Sequence, residues 1–369
     1  MDKEALLEQY RFYQDRNSKL DMSRGKPSPE QLETLAPLLS AVTRNEQCYS
    51  ETGTDCRNYG GLEGLNEMRR LFGELLDLPP EQVIVGGNSS LNLIYDTVAR
   101  AMIHGVEDGC KPWSKYDEIT FLCPVPGYDR HFAICEFFGI KMVNVPMRPD
   151  GPDMDLVERL VAEDETVKGI WCIPKYSNPT GYTFSDETVR RFARLQPAAR
   201  DFRVFWDNAY IVHDLNDTPD RLLNVFTEAK KCGTEDRFIE FTSTSKITYS
   251  GAGISCMASS RRNVGRILEE MKVQTIGHDK LNQLRHSRFF HSAADIRRQM
   301  DVHKAILRPK FELLYGVFER ELSGIPGLSW THPNGGYFIC MTLPEGTAPF
   351  CRTAPSKHTG YFLLTAEKL

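Results

Sequence analysis

The residues with the widest chemical reach are a lysine and the hydroxyls before it, Ser243-Thr244-Ser245-Lys246. They lie between the apolar run Phe238–Thr242 and the glycines Gly251 and Gly253. A lysine that attacks an aldehyde must first lose a proton, and a free amine keeps it up to a pKa near ~10.4. Desolvation or neighbouring cations lower that value, which is how Schiff-base lysines are activated. Taken alone, a lysine after a strand is most often a solvated charge. The hydroxyls of Ser243 and Ser245 can also hold a phosphate.

Three further motifs follow apolar runs. Gly86-Gly87-Asn88-Ser89-Ser90-Leu91 joins Val83–Val85 to a helical pattern. Glycines let the backbone approach an anion, and free N–H groups with hydroxyls at a helix start favour phosphate, although Ser there is also simply a good cap. In Pro124-Val125-Pro126-Gly127-Tyr128, the tyrosine can lie face-on to a flat heteroaromatic ring or fill a core. Lys175-Tyr176-Ser177-Asn178-Pro179-Thr180-Gly181 is followed by Trp206-Asp207-Asn208-Ala209-Tyr210. A carboxylate at the end of a buried strand is costly unless a cation faces it, and a protonated pyridine nitrogen is one such partner. Asn178 and Tyr210 can donate to a phenolate-like oxygen. The plainer alternative is a helix-start aspartate and an Asn-Pro turn.

These motifs need a frame. Short apolar runs alternate with helix-length patterns from Val83 to Trp206, and Phe238–Thr242 and Ile254–Ala258 add two more strands. That alternation predicts an α/β fold with a large, mostly parallel sheet and helices on both faces. Its ligand loops should follow the strands, as in open α/β sheets. Lys3–Asn17 reads as a helix, and His303–Leu322 as a long helix leading to a smaller domain with strands at Leu328–Thr331 and Tyr337–Thr342. The expected division is an N-terminal segment 1–45 serving the small domain and an active-site lid, a large domain 46–300, an interdomain helix with partial small domain 301–348, and a tail 349–369. The tail shows neither helical nor strand period.

Composition excludes several classes. With 41% hydrophobic and 26% charged residues the chain is an ordinary globular protein, and a net charge of −5 without a basic block argues against nucleic-acid binding. No apolar run is long enough to span a membrane, and the start lacks the apolar core of a signal peptide. Ten cysteines without a C-x-x-C pair fit reduced thiols in the cytoplasm. Nine dispersed histidines, His286 and His291 among them, lack metal-ligand spacing.

Read in order, the chain offers a phosphate cup, a stacking tyrosine, N-P-T-G, D-x-A-Y and S-x-S-K. This order resembles the class I/II aminotransferases of the fold-type I pyridoxal-phosphate family over about Ser23–Leu343. The details P-V-P-G-Y, K-Y-S-N-P-T-G and S-T-S-K-I-T look most like the bacterial aspartate aminotransferase branch, which also resembles the aminotransferase-like domains of MocR-type regulators. The resemblance implies pyridoxal 5′-phosphate as cofactor, linked as a Schiff base to Lys246, which afterwards shuttles a proton. It implies Asp207 at the pyridine nitrogen, Tyr210 and Asn178 at the ring hydroxyl oxygen, and Tyr128 stacked on the ring. Ser89, Ser90 and Ser243 would surround the phosphate, with Tyr59 reaching the phosphate of a neighbouring subunit in a homodimer. The implied reaction moves an amino group from a small amino acid, aspartate first, to a 2-oxo acid such as 2-oxoglutarate. A carbon–sulfur lyase and a catalytically weak or silent cofactor-binding domain are the alternatives.

Two departures stand out. Many class I members place an arginine for the phosphate eight residues after the lysine, where this chain has Ile254. Lys280, Arg285 and Arg288 are the candidate replacements, an exposed basic helix face being the alternative. The resemblance also stops near Glu345-Gly346-Thr347-Ala348, so the tail reads as truncated or frame-shifted, and the small domain as incomplete. The arginine expected at the substrate carboxylate has no match there. Arg24, beside Gly25, is a partial substitute, and Arg352 is the only arginine of the tail.

Overall fold

The computed structural model describes residues 3–16, 25–344 and 361–365. Helix α1 spans Lys3–Asp15, α2 Pro29–Glu33, α3 Ala36–Leu39 and α4 Asn66–Leu76. Strand β1 (Val83–Val85) runs into α5 (Ser90–His104), and β2 (Thr120–Val125) into α6 (Asp129–Phe138). Strands β3 (Lys141–Arg148) and β4 (Gly151–Pro152) precede α7 (Met154–Glu163); β5 (Val167–Cys172) precedes α8 (Asp186–Arg194). Next come β6 (Arg203–Asp207), α9 (Val225–Cys232), β7 (Phe238–Ser243) and β8 (Ser255–Ser259). Helices α10 (Arg261–Gln274), α11 (Lys280–Phe289) and α12 (Ala293–Leu322) lead to β9 (Ser329–Trp330), β10 (Phe338–Thr342) and β11 (Tyr361–Thr365).

The large sheet has the order β1-β8-β7-β6-β5-β2-β3-β4. Strands β3, β2, β5, β6 and β7 are mutually parallel, so the loops following β2, β5, β6 and β7 leave the sheet along one edge. Side chains alternate across it. Val204 and Trp206 join the core under α7–α9, whereas Phe205 joins Phe121, Trp171 and Phe241 under α5, α6 and α10. A further cluster packs β1 and β8 against α4, α11 and the start of α12.

Local chemistry separates the helices. Asp153, Ser185, Asn224, Ser260 and Asp279 cap α7 to α11 through side-chain acceptors. Helices α5 and α6, which start at the ligand edge, have no side-chain cap. Their first N–H groups are left to another acceptor.

A second core joins the far half of α12 (Leu307, Phe311, Leu314, Phe318) to Phe338, Ile339 and Met341, and includes Tyr176 and Tyr210 from the ligand-edge loops. Helix α12 begins at Ala293, well before the expected His303, so the expected 300/301 boundary falls within it. The turn Pro333-Asn334-Gly335-Gly336 links β9 and β10 and also docks. Leu215 N donates to Asn334 O at 2.8 Å, and Gly336 N to His213 O at 2.8 Å. A Cβ on Gly335 would collide with the Tyr176 ring and His213 O.

One expectation is corrected. The tail sequence shows no strand period and the small domain is expected to be incomplete. Instead β11 pairs antiparallel with β10, Phe338 opposite Thr365 and Thr342 opposite Tyr361. The run Tyr361-Phe362-Leu363-Leu364-Thr365 is rich in residues that suit strands, and a continuous apolar run carries no alternation to detect.

Candidate active site

Asp207 is the last residue of β6. Its Oδ2 lies 3.1 Å from His131 Nε2, and its Oδ1, fully buried, has no hydrogen-bond partner among the described residues. An open carboxylate oxygen in the interior costs roughly 1–3 kcal/mol, so it marks a place for a donor from outside the chain. His131 is itself stacked on Trp171 with ring centroids 4.6 Å apart, and Trp171 Nε1 donates to Cys135 Sγ at 3.2 Å.

Lys246 follows β7 and is half-buried; its Nζ lies 4.9 Å above the Tyr210 ring. Burial pushes the ammonium pKa below the usual lysine range, partly offset by the Asp207 carboxylate. Tyr210 is buried, which holds its phenol well above the usual range, while the Asn178 side chain hydrogen-bonds to it and opposes that rise. Tyr128, at the start of α6, packs edge-on against His131 at 5.1 Å. Asp207, Lys246, Tyr210, Asn178 and Tyr128 thus gather at one place.

The phosphate-cup residues converge from two loops. Ser243 Oγ donates to Ser245 Oγ at 3.1 Å, Ser245 Oγ donates to Asn88 O at 2.9 Å, and Ser255 Oγ donates to Gly87 O at 2.8 Å. Ser89 and Ser90 stand at the uncapped start of α5, and neither is fully buried. Gly86 is required, because a Cβ there would meet Ser255 Oγ at 2.8 Å.

Other expected residues lie elsewhere or do other work. Tyr59 is 82% exposed. Lys280 is buried and donates to Asn58 O at 2.6 Å and Gly60 O at 2.7 Å, so it braces the Tyr59 turn. Arg288 donates to Tyr49 O at 3.1 Å, and Arg285 keeps a buried, unpartnered Nε. Gly25 presses on β10, where a Cβ would lie 2.8 Å from Phe338 Cζ. Arg24 and Arg352 lie outside the described residues.

Sequence reasoning missed His131, His213 and Tyr337. His131 stands three residues after Tyr128, one helical turn on, which was its only signal. His213 is buried against Tyr210 and Tyr337, its pKa held well below the usual range by burial and by the nearby Lys246. Tyr337 accepts from Gln31 Nε2 at 3.1 Å and donates to Lys246 O at 3.5 Å, tying the N-terminal segment to the lysine's main chain.

This fold and site, with a desolvated lysine and an open buried carboxylate at the ligand edge, define a pyridoxal-phosphate transferase of fold type I. A model of the aspartate amino-transferase family matches residues 2–363, and the chain belongs to that family. It is 44% identical over 333 residues to the aspartate aminotransferase of Corynebacterium glutamicum, covering 90% of this chain and 77% of the relative. A Mycolicibacterium smegmatis protein carrying a provisional aminotransferase name is 48% identical over 340 residues, covering 92% and 79%. The solved structure of a C. glutamicum aspartate transaminase superposes with a TM-score of 0.89 at 43% identity, covering 93% of this chain and 81% of that one. The chain is an aminotransferase, and its cofactor is pyridoxal 5′-phosphate. Among the described residues no helix is long and apolar enough to cross a membrane.

Proposed function

We propose that this enzyme transfers the amino group of aspartate to a 2-oxo acid such as 2-oxoglutarate, with Lys246 as the cofactor-linked base. The observation that carries the site assignment is the Oδ1 of buried Asp207, unpartnered among the described residues, which fits a protonated pyridine nitrogen. Bound there, the cofactor supplies an electron sink for the bonds at the substrate α-carbon.

Each of the chain's own residues then has a task. Asp207 holds the proton on the ring nitrogen, and His131 fixes the carboxylate's orientation. Asn178 and Tyr210 hydrogen-bond the ring hydroxyl oxygen, and Tyr128 packs on the ring face. Ser89, Ser90 and Ser243, with the free N–H groups of α5, hold the phosphate. Lys246, its basicity lowered by burial, moves the proton between the α-carbon and the cofactor C4′. Arg24, beside Gly25, is the cation we assign to the substrate carboxylate.

Tyr59 completes the phosphate site of a second copy, making the working unit a homodimer. Its exposure on a turn braced by buried Lys280 supports this reading. The cofactor domain spans 46–300, and 1–45 and 301–348 serve substrate closure. Nine described cysteines are free, seven of them buried, which suits a reducing cytoplasm.

The test is borohydride reduction of the purified holoenzyme followed by peptide mapping. The reduced cofactor should sit on Lys246, and Lys246→Ala should abolish activity. An adduct on another lysine overturns the assignment. Glutamate formation from aspartate and 2-oxoglutarate, against release of pyruvate and ammonia, separates transamination from β-elimination.

A further inference from the structure

The turn that carries Lys246 is closed by a ring of hydrogen bonds that begins where many class I relatives hold an arginine. Ile254 N donates to Thr244 Oγ1 at 2.9 Å, and the Thr244 and Thr248 hydroxyls are 3.0 Å apart. His286 Nε2 lies 3.0 Å from Thr248 Oγ1 and 3.3 Å from Thr244 Oγ1, and its Nδ1 lies 2.9 Å from Asn282 O. Asn282 Nδ2 returns to Ala252 O at 2.9 Å and Gly253 O at 3.1 Å, beside Ile254.

The carbonyl of Asn282 only accepts, so Nδ1 carries the proton and Nε2 is the acceptor. One threonine hydroxyl donates to Nε2 and the other to its neighbour, which leaves no polar atom of the ring unsatisfied. His286, Thr244 and Thr248 are all fully buried, so each bond forms away from competing water. Burial also depresses the imidazole pKa to about 4, keeping it in the neutral form the ring requires. Thr244 and Thr248 bracket Lys246, with Thr248 N bonded to Thr244 O at 2.7 Å. The ring therefore sets the pitch of the turn from which the lysine projects.

We infer that His286 is a positioning residue for Lys246, acting through Thr244 and Thr248 and joining α11 to the lysine turn. The inference rests on the assignment of Lys246 above. An apolar substitute for the imidazole removes the acceptor that both hydroxyls share. That leaves Thr248 Oγ1 only Thr244 O at 3.1 Å and the Thr244 hydroxyl only Thr248 Oγ1, so the turn loses its tie to α11 and the lysine amine leaves its productive position.

The experiment compares His286→Leu, His286→Gln and Thr248→Val with the parent holoenzyme. The readouts are borohydride adduct mapping, the pH midpoint of the cofactor's visible absorption, and kcat and KM. His286→Leu and Thr248→Val should keep the adduct on Lys246 yet shift the midpoint by about half a pH unit or more. Their kcat should fall by about tenfold or more with KM little changed. His286→Gln, which restores an acceptor, should recover most of the midpoint. An unmoved midpoint with kcat within about twofold of the parent in Thr248→Val overturns the inference, even if His286→Leu does not fold. An adduct that maps elsewhere in the parent overturns the Lys246 assignment instead.

Discussion

Strand β6 is flanked by a buried aspartate at each end, and the two have opposite surroundings. At the entry, Asp201 Oδ1 pairs with Lys168 Nζ at 2.7 Å and Oδ2 accepts from Trp113 Nε1 at 3.0 Å. Lys168 is in turn held 4.2 Å above the Tyr116 ring. Every strong valence of that group is met within the chain. At the exit, Asp207 has His131 on one oxygen and, among the described residues, no partner on the other. Both carboxylates are removed from water, so burial alone does not distinguish them. The unfilled valence does, because an unpaired buried carboxylate oxygen carries a desolvation cost that a donor from a ligand can offset. A third case is intermediate: Glu240 on β7 is buried and accepts one bond from Asn208 Nδ2 at 2.8 Å.

The sharpest way to break this comparison is Asp207→Ala. Without the carboxylate the ring nitrogen loses its proton, and steady-state transamination of aspartate should fall by about 10³-fold, far more than cofactor binding weakens. Rates within a few-fold of the parent would show that Asp207 does not face the ring. At the closed end the outcome should invert. Asp201→Ala strands the Lys168 ammonium and should lower unfolding free energy by about 3–5 kcal/mol in a denaturant titration, with kcat of the folded enzyme unchanged. Loss of activity without loss of stability would contradict a structural role.

Glu240 offers a pH test. Burial raises its carboxyl to about 7 from the ordinary 4.5. Between those values the unfolded chain releases the proton while the folded chain keeps it, so this group lowers stability as pH climbs from 4.5 to 7, then contributes a constant penalty above. Glu240→Gln removes the dependence. Its unfolding free energy in a denaturant titration should match the parent near pH 4.5 and exceed it at pH 8, by a margin on the order of 1–3 kcal/mol. A margin that does not grow with pH refutes the assignment.

The smallest effect is expected at the exposed turn. Tyr59→Phe should raise the cofactor's dissociation constant several-fold, the loss of about 1 kcal/mol for one hydrogen bond to a charged group. Titration of the apoprotein followed by fluorescence measures it. An unchanged constant removes Tyr59 from the phosphate site and, with it, the argument that the open end needs a second copy.

Several parts of this molecule were legible without a structure. The alternation of apolar runs with helix-length patterns marked the parallel sheet, and Lys246, Asp207, Asn178, Tyr210 and Tyr128 stood out because each follows a strand in a motif of characteristic order. Helix α12 was legible from His303 onward but not over 293–302, where the charged pair Arg297-Arg298 blurs its apolar stripe. Strand β11 was missed because Phe362-Leu363-Leu364 carries no alternation and stands in a stretch without the helix-length patterns that set off the strands of the large sheet.

What the amino-acid order determined by itself was the set of chemical groups and the loops that carry them. Those depend on local periodicity, turn residues and spacing, which act over a few residues. The tertiary structure alone decided the partners: His131 on one Asp207 oxygen, His286 inside the lysine turn, and Lys280 spent on the carbonyls of Asn58 and Gly60 rather than on phosphate. Such choices depend on which of many donors and acceptors, distant along the chain, are brought within about 3 Å and shielded from water. Hydrogen-bonding capacity is written in each residue's type, but whether that capacity is used up inside the chain or left open for a ligand is settled only by packing.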